Sequence, residues 1–136
     1  QVNISGILEK TLYNYQQYYE DFPVLERSIK PDVFLIASAS LMEIMANNLV
    51  ANAVVHNIPG GYIKIYLEED RLYIENSGKA IQGKPESLFE RFNKGDDASK
   101  TTGLGLALVK QIAQLYRINL RYQYENGVHR ITASFR

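Results

Sequence analysis

Residues 38–57 read SASLMEIMANNLVANAVVHN, and Pro59-Gly60-Gly61 follows shortly after. In this stretch a serine that can cap a helix, either Ser38 or Ser40, precedes a long apolar run with helical spacing. The pattern predicts a helix that ends near Asn57, where the Pro-Gly-Gly turn stops it. Apolar residues occupy nearly its whole circumference, which is typical of a buried helix.

The segments on both sides of this helix predict a sheet and two more helices. Strand-like runs, four of them paired as hairpins, are expected at Val24 to Ile29, Val33 to Ile36, Tyr62 to Glu68, Arg71 to Asn76, Asn119 to Glu125 and Val128 to Phe135. The other helices are expected from Asn3 or Ser5 to about Tyr19 and from about Thr102 to Tyr116. Together these elements predict an α+β fold, a two-layer sandwich in which three helices cover one face of a mixed sheet of about five strands.

Composition narrows the possible functions. The chain has 136 residues, with 15 Lys and Arg against 15 Asp and Glu, and it has no cysteine. Its length and its hydrophobic fraction of 46% predict one globular domain over residues 1–136. Zero net charge excludes a global field that attracts nucleic acid or an anionic membrane, so an anionic ligand has to be held by a local site. Because the chain begins at Gln1 without a Met, we expect it to be a piece of a longer protein.

Asn48 and Asn52 stand one turn apart on the central helix, among apolar residues. A buried amide without partners costs about 1–3 kcal/mol, so each amide needs a partner. Either the two side chains bind neighbouring backbone groups, or they are neutral oxygen ligands of a hard cation such as Mg²⁺. Glu43 and Asn47 form a competing pair, but the helical wheel places them on another face. His56, at the edge of the Asn face, is more typical of a packed or polar-rim histidine than of a metal ligand.

Two glycine-containing motifs could bind a nucleotide. Asn76 and Gly78 close a predicted strand, which is either an ordinary strand exit or an adenine site. An Asn amide offers an acceptor and a donor that match the adenine amine and its neighbouring ring nitrogen, and a glycine lets a flat ring approach the backbone. The segment from Thr101 to Leu106 leads into a helix, and is either a plain N-cap or a site where bare N–H groups bind an anion.

The long irregular segment between these motifs, residues 77–101, carries several cations. Arg91, Lys94 and Lys100 could neutralise phosphate oxygens, or they could belong to a solvated charged loop. Phe89 and Phe92 are expected to anchor the segment to the core. Loops of this length inside a compact domain are usually functional or mobile.

Four segments, in order and spacing, resemble the N, G1, F and G2 boxes of the catalytic ATP-binding domain of bacterial sensor histidine kinases, in the superfamily that includes DNA gyrase. They are Asn48 to Ala53, Asn76 to Gly78, Leu88 to Phe92 and Thr102 to Leu106. With the flanking elements, the resemblance covers nearly the whole chain. It implies the Bergerat (GHKL) fold, with ATP and Mg²⁺ bound between the N-box helix and a mobile lid at about residues 79–101.

The resemblance also implies a role for each matching residue. Asn48 and Asn52 would bind Mg²⁺ and the phosphates, and Asn76 would recognise adenine, with Gly78 beneath the ring. The remaining residues that would approach the phosphates are Arg91, Lys100, Gly103, Leu104 and Gly105. Relatives that hydrolyse ATP have a glutamate where Asn48 stands, and an amide cannot take a proton from water. Two departures are Asn76, where the family usually has Asp, and Ala80, where it generally has a second glycine.

The function implied by the resemblance is transfer of the γ-phosphate of ATP to a histidine in two-component signalling. That histidine lies in a separate dimerisation domain, and neither His56 nor His129 is placed like it, so we expect this chain alone to bind nucleotide and phosphorylate nothing. The implied parent is a homodimer that serves a response regulator and can be an inner-membrane sensor, with this domain cytoplasmic and without direct contact to membrane or nucleic acid. Two alternatives stay open: a pseudokinase module that docks partners, and an anti-sigma-type protein-serine kinase.

Overall fold

The computed structural model of the chain describes residues 1–80, 84, 87, 89 and 105–135. Within these ranges the helices and strands follow one another in the order β1 (Val2–Asn3), α1 (Ile4–Tyr18), β2 (Val24–Ile29), β3 (Phe34–Leu35), α2 (Ala39–Val55), β4 (Tyr62–Leu67), β5 (Arg71–Ser77), α3 (Gly105–Leu115), β6 (Asn119–Glu125) and β7 (Val128–Ser134). Strand β2 and both hairpins lie within one residue of their predicted bounds.

Five of the strands form one mixed sheet. Its order is β2-β4-β5-β7-β6, with β2 parallel to β4 and every other neighbouring pair antiparallel. Alternate residues of these strands face the helices and join the buried core, among them Ile63, Ile65, Leu67, Leu72, Ile74, Tyr122, Ile131 and Ala133. The predicted α+β sandwich, with three helices and a five-stranded mixed sheet, is confirmed.

A small second sheet differs from the prediction. The expected strand from Val33 to Ile36 is reduced to Phe34–Leu35, and it pairs with Val2–Asn3 rather than with the main sheet. Ser5 holds this corner, because its hydroxyl donates to the Lys30 carbonyl at 2.5 Å and accepts the Val33 N–H at 2.9 Å. Strand β1 was not predicted, since a two-residue strand depends on its distant partner.

Helix α2 begins after Ser38, whose hydroxyl accepts the Leu41 N–H at 3.3 Å. Its buried residues lie on one side, facing the sheet and its neighbouring helices: Met42, Met45, Ala46, Leu49, Val50 and Ala53. The prediction that α2 is buried nearly all round is wrong, because Glu43, Ile44 and Asn47 are exposed, Ile44 to 41%. In a single helix layer, one side of the central helix faces away from the sheet.

Candidate functional site

Helix α2 places Asn48 against the start of α3. The Asn48 side-chain nitrogen donates to the Ile44 carbonyl at 2.8 Å, so the backbone interpretation holds for this half of the amide. The oxygen faces Gly105, the first residue of α3, so closely that a Cβ atom on Gly105 would lie 2.9 Å from it. Glycine at this position therefore lets the N-terminal end of α3 approach Asn48 Oδ1, and that end of a helix favours an anion.

Asn52 makes its contact on the sheet. Its side chain is hydrogen-bonded to the hydroxyl of Tyr122 in β6. The Tyr122 hydroxyl lies 2.9 Å from His129 Nδ1, and His129 Nε2 lies 2.7 Å from the Lys79 carbonyl. Tyr122 was not predicted as a site residue. The available signal was a polar side chain at a core-facing position of β6, opposite a strand that carries a histidine at a core-facing position.

Asn76 is buried, only 3% exposed, near the end of β5. Its side-chain nitrogen donates to the Ser77 carbonyl at 2.8 Å, which leaves the amide oxygen as the acceptor that an amine can use. In the sheet Asn76 pairs with Ile63 on one side and with His129 on the other. Asn76 and His129 therefore lie at the same end of the sheet, on its core-facing side.

Gly78 is held between two neighbours. A Cβ atom here would lie 2.7 Å from the His56 carbonyl oxygen and 2.8 Å from His129 Cδ2, so packing alone requires a glycine. That Gly78 also admits a flat ring stays a prediction.

The structure thus brings together five of the predicted site residues. Asn52, Asn76 and Gly78 meet around Tyr122 and His129, while Asn48 and Gly105 meet where α2 and α3 touch. The other predicted site residues lie outside the described residues: Arg91, Lys100, Gly103 and Leu104.

Phe89 lies in the irregular segment and is predicted to anchor it to the core. It is only 5% exposed, and its ring centroid lies 6.0 Å from that of Tyr122. The prediction that Phe89 anchors its segment to the core is confirmed, whereas Phe92 and Lys94 lie outside the described residues.

The donor set of this site suits a hard cation. Within the described part of the chain, no group of three or more His, Cys, Asp or Glu side chains could hold a metal. The predicted ligands of a cation between α2 and the start of α3 stay the amide oxygens of Asn48 and Asn52, with phosphate and water completing the shell. Mg²⁺ accepts this kind of shell, because it prefers oxygen and keeps several ligands that the protein does not supply.

Two buried groups of this site, the His129 imidazole and the Tyr122 hydroxyl, are neutral near pH 7. Burial lowers the pKa of His129, more than its bond to the Lys79 carbonyl raises it. Burial also raises the pKa of Tyr122, against the opposing effect of the Asn52 amide.

Folding stability should therefore depend on His129 in weakly acidic solution. Its pKa in the folded chain lies below the ordinary value of 6.5, so the unfolded chain binds this proton more readily. The contribution of His129 to the free energy of unfolding is then complete above pH 6.5 and falls as the pH drops from there toward the lowered pKa. Urea denaturation at about pH 8 and about pH 5.5 should show a decline that His129→Gln reduces. An equal decline in both proteins would contradict this expectation.

Comparison with known proteins identifies the family. Residues 37–136 match the family described as histidine kinase-, DNA gyrase B-, and HSP90-like ATPase. The chain belongs to this family. The ATPase-family domain is 33% identical over 135 residues to the sensor histidine kinase HprS of Escherichia coli K12, covering 90% of this chain and 29% of HprS. It thus spans less than a third of that relative's length.

Solved structures agree with the fold of this ATPase-family domain. The mycobacterial sensor histidine kinase MprB superimposes with a TM-score of 0.80 at 23% identity, covering 98% of this chain and 96% of that one. The ATP-binding domain of PrrB from Mycobacterium tuberculosis superimposes with a TM-score of 0.69 at 22% identity, covering 96% and 91%. In the ranges described, no helix is both long enough and apolar enough to cross a membrane.

Proposed function

We propose that this domain binds Mg-ATP and donates the γ-phosphate to a histidine on the dimerisation domain of a parent sensor histidine kinase. The observation that carries the proposal is the placement of Asn48 Oδ1 against the first residue of α3, where a Cβ atom on Gly105 would lie 2.9 Å away. A neutral oxygen ligand and a helix N-terminus together form a site for a cation-bound phosphate. Family membership supports the same ligand.

Each described residue has a proposed task. Asn48 and Asn52 hold Mg²⁺, which would neutralise charge on the phosphates, and the start of α3 faces the phosphate oxygens. Asn76 accepts a hydrogen bond from the adenine amine through its free oxygen, since its nitrogen already donates to Ser77. Arg91, Lys100, Gly103 and Leu104 are proposed to contact phosphate on the basis of the resemblance alone. Because Asn48 is an amide, it does not activate water, and ATP is kept for transfer.

The acceptor is proposed to lie in another domain. In the transfer, a nitrogen of the acceptor imidazole forms a bond to the γ-phosphorus while the bond from that phosphorus to the bridging oxygen breaks, and ADP leaves. His129 does not suit this role, because it is 3% exposed and both of its ring nitrogens have partners. The parent would be a homodimer that serves a response regulator, with this domain in the cytoplasm.

Calorimetry tests the binding step. We expect saturable binding of Mg-ADP and of a non-hydrolysable ATP analogue at submillimolar concentrations, and weaker binding when EDTA removes the metal. Absence of saturable binding at millimolar nucleotide would overturn the proposal and favour the pseudokinase alternative.

A phosphotransfer assay tests the second step. In it, the chain is mixed with ATP and the phosphoacceptor domain of its parent. An acid-labile phosphohistidine supports the proposal, whereas an acid-stable phosphoserine would favour the serine-kinase alternative.

A further inference from the structure

A chain of hydrogen bonds runs from the backbone at Lys79 to the side chain of Asn52. The Lys79 carbonyl oxygen lies 2.7 Å from His129 Nε2, and His129 Nδ1 lies 2.9 Å from the Tyr122 hydroxyl oxygen. The Asn52 side chain is bonded to the same hydroxyl. Tyr122 and His129 are each only 3% exposed, so water has little access with which to replace these partners.

The donor and the acceptor of each hydrogen bond in this chain can be assigned by starting from the Lys79 carbonyl. A carbonyl oxygen can only accept, so His129 Nε2 must carry a proton. In a neutral imidazole the other nitrogen then accepts, and the Tyr122 hydroxyl has to donate its single proton to His129 Nδ1. Burial lowers the pKa of His129, which agrees with a neutral ring.

The last bond therefore has one possible orientation. Because the Tyr122 proton is already used, the hydroxyl oxygen can only accept from Asn52, and the Asn52 amide must present its nitrogen to the sheet. We propose that Tyr122 and His129 are positioning residues that hold the Asn52 amide by its nitrogen and so present its oxygen to Mg²⁺. This inference rests on the proposed function, since it assumes that Asn52 is a metal ligand.

The side chains of Asn48 and Asn76 are likewise held by their nitrogen atoms. The side-chain nitrogen of Asn48 donates to the Ile44 carbonyl, and that of Asn76 donates to the Ser77 carbonyl, both at 2.8 Å. In all three amides the protein engages the nitrogen and leaves the oxygen for a ligand. An amide that turned over would present its N–H groups to the cation, and these repel it. Outer partners of metal ligands are typically worth about 10- to 100-fold in metal affinity.

Nuclear magnetic resonance of the nucleotide-free chain tests the orientation without any variant. In long-range proton–nitrogen spectra of ¹⁵N-histidine-labelled protein near neutral pH, we expect His129 to be protonated on Nε2 and unprotonated on Nδ1. A proton on Nδ1, in the other tautomer or in an imidazolium, would overturn the proposal, because Tyr122 could then no longer be the obligatory donor to His129.

Tyr122→Phe tests the consequence for the metal. The variant keeps the ring and removes the acceptor of the Asn52 amide. We expect the affinity for ADP with Mg²⁺ to fall by about tenfold while the affinity for ADP in EDTA stays unchanged. A role in structure alone would lower both affinities equally, and that result would overturn the proposal, as would an unchanged affinity with Mg²⁺.

Tyr124→Phe is the matched control. Tyr124 lies on the same strand with its ring centroid 4.6 Å from that of His129, but its hydroxyl accepts from the Gly127 N–H at 3.1 Å. We expect this variant to bind ADP like the unmodified chain under both conditions, and a matching loss of Mg²⁺-dependent affinity would overturn the proposal. If the unmodified chain does not bind Mg-ADP, the proposed function fails. If it binds and Tyr122→Phe binds equally well, only the positioning role fails.

Discussion

Asn52→Ala is expected to abolish Mg²⁺-dependent nucleotide binding while the domain stays folded. The substitution removes a proposed ligand oxygen and also the amide nitrogen that Tyr122 accepts from. Because even the outer partners of metal ligands are worth about 10- to 100-fold, loss of a ligand itself should weaken Mg-ADP binding by more than about 100-fold. Stability should change little, since the lost hydrogen bond, about 1 kcal/mol, is offset by the better helix propensity of alanine.

The control is Asn47→Ala on the same helix. Asn47 is exposed, and its side chain also lies against a tyrosine hydroxyl, that of Tyr15. Calorimetry of both variants with and without Mg²⁺, together with thermal unfolding, separates loss of the metal site from loss of a side-chain bond. If Asn52→Ala binds Mg-ADP as Asn47→Ala does, the metal assignment is wrong.

The sheet was predictable because its signals are local. Alternating residues marked both hairpins, and Asn126 and Gly127 have φ values of 51° and 79°, as the tight turn between β6 and β7 requires. The two-residue strands β1 and β3 were not predictable in the same way, since each is a strand only because the other lies beside it. The exposed side of α2 was missed for a related reason, as Ile44 is apolar but no sequence pattern says which neighbours cover it.

The site was predictable where polar residues interrupt apolar surroundings. Asn48, Asn52 and Asn76 stand out for this reason, and the structure brings them to one end of the sheet and its covering helix. Tyr122 was missed because a tyrosine at a core-facing strand position is ordinary in sequence. Its importance depends on strand register, which places His129 two positions along the neighbouring strand from its direct partner, Ile131.

Gly61→Ala is expected to destabilise the domain by about 3 kcal/mol, since overpacking and buried polar groups left without partners each cost about 1–3 kcal/mol. A Cβ atom at this position would lie 2.0 Å from Asn57 Oδ1 and 2.2 Å from Ser77 Oγ. The Ser77 hydroxyl donates a hydrogen bond to Asn57 Oδ1 at 2.6 Å. Asn57 Oδ1 also accepts from the Ile58 N–H, and Ser77 Oγ accepts from the Tyr62 N–H, both at 2.9 Å. The alanine would therefore displace both side chains and leave their donors unpaired.

Gly6→Ala is the matched control, because the same substitution should stabilise the domain at this position. Gly6 lies in the first turn of α1, where the nearest side chain that a Cβ atom would meet is that of Asn3, at 3.6 Å, and alanine gains up to about 1 kcal/mol over glycine in a helix. Urea denaturation of both variants measures the difference, and equal stabilities would contradict the expectation. The hydrogen bond from Ser77 to Asn57 also joins the end of β5, which carries Asn76, to the segment just after α2, the helix that carries Asn52. Gly61→Ala should therefore weaken nucleotide binding even in the fraction of the protein that remains folded.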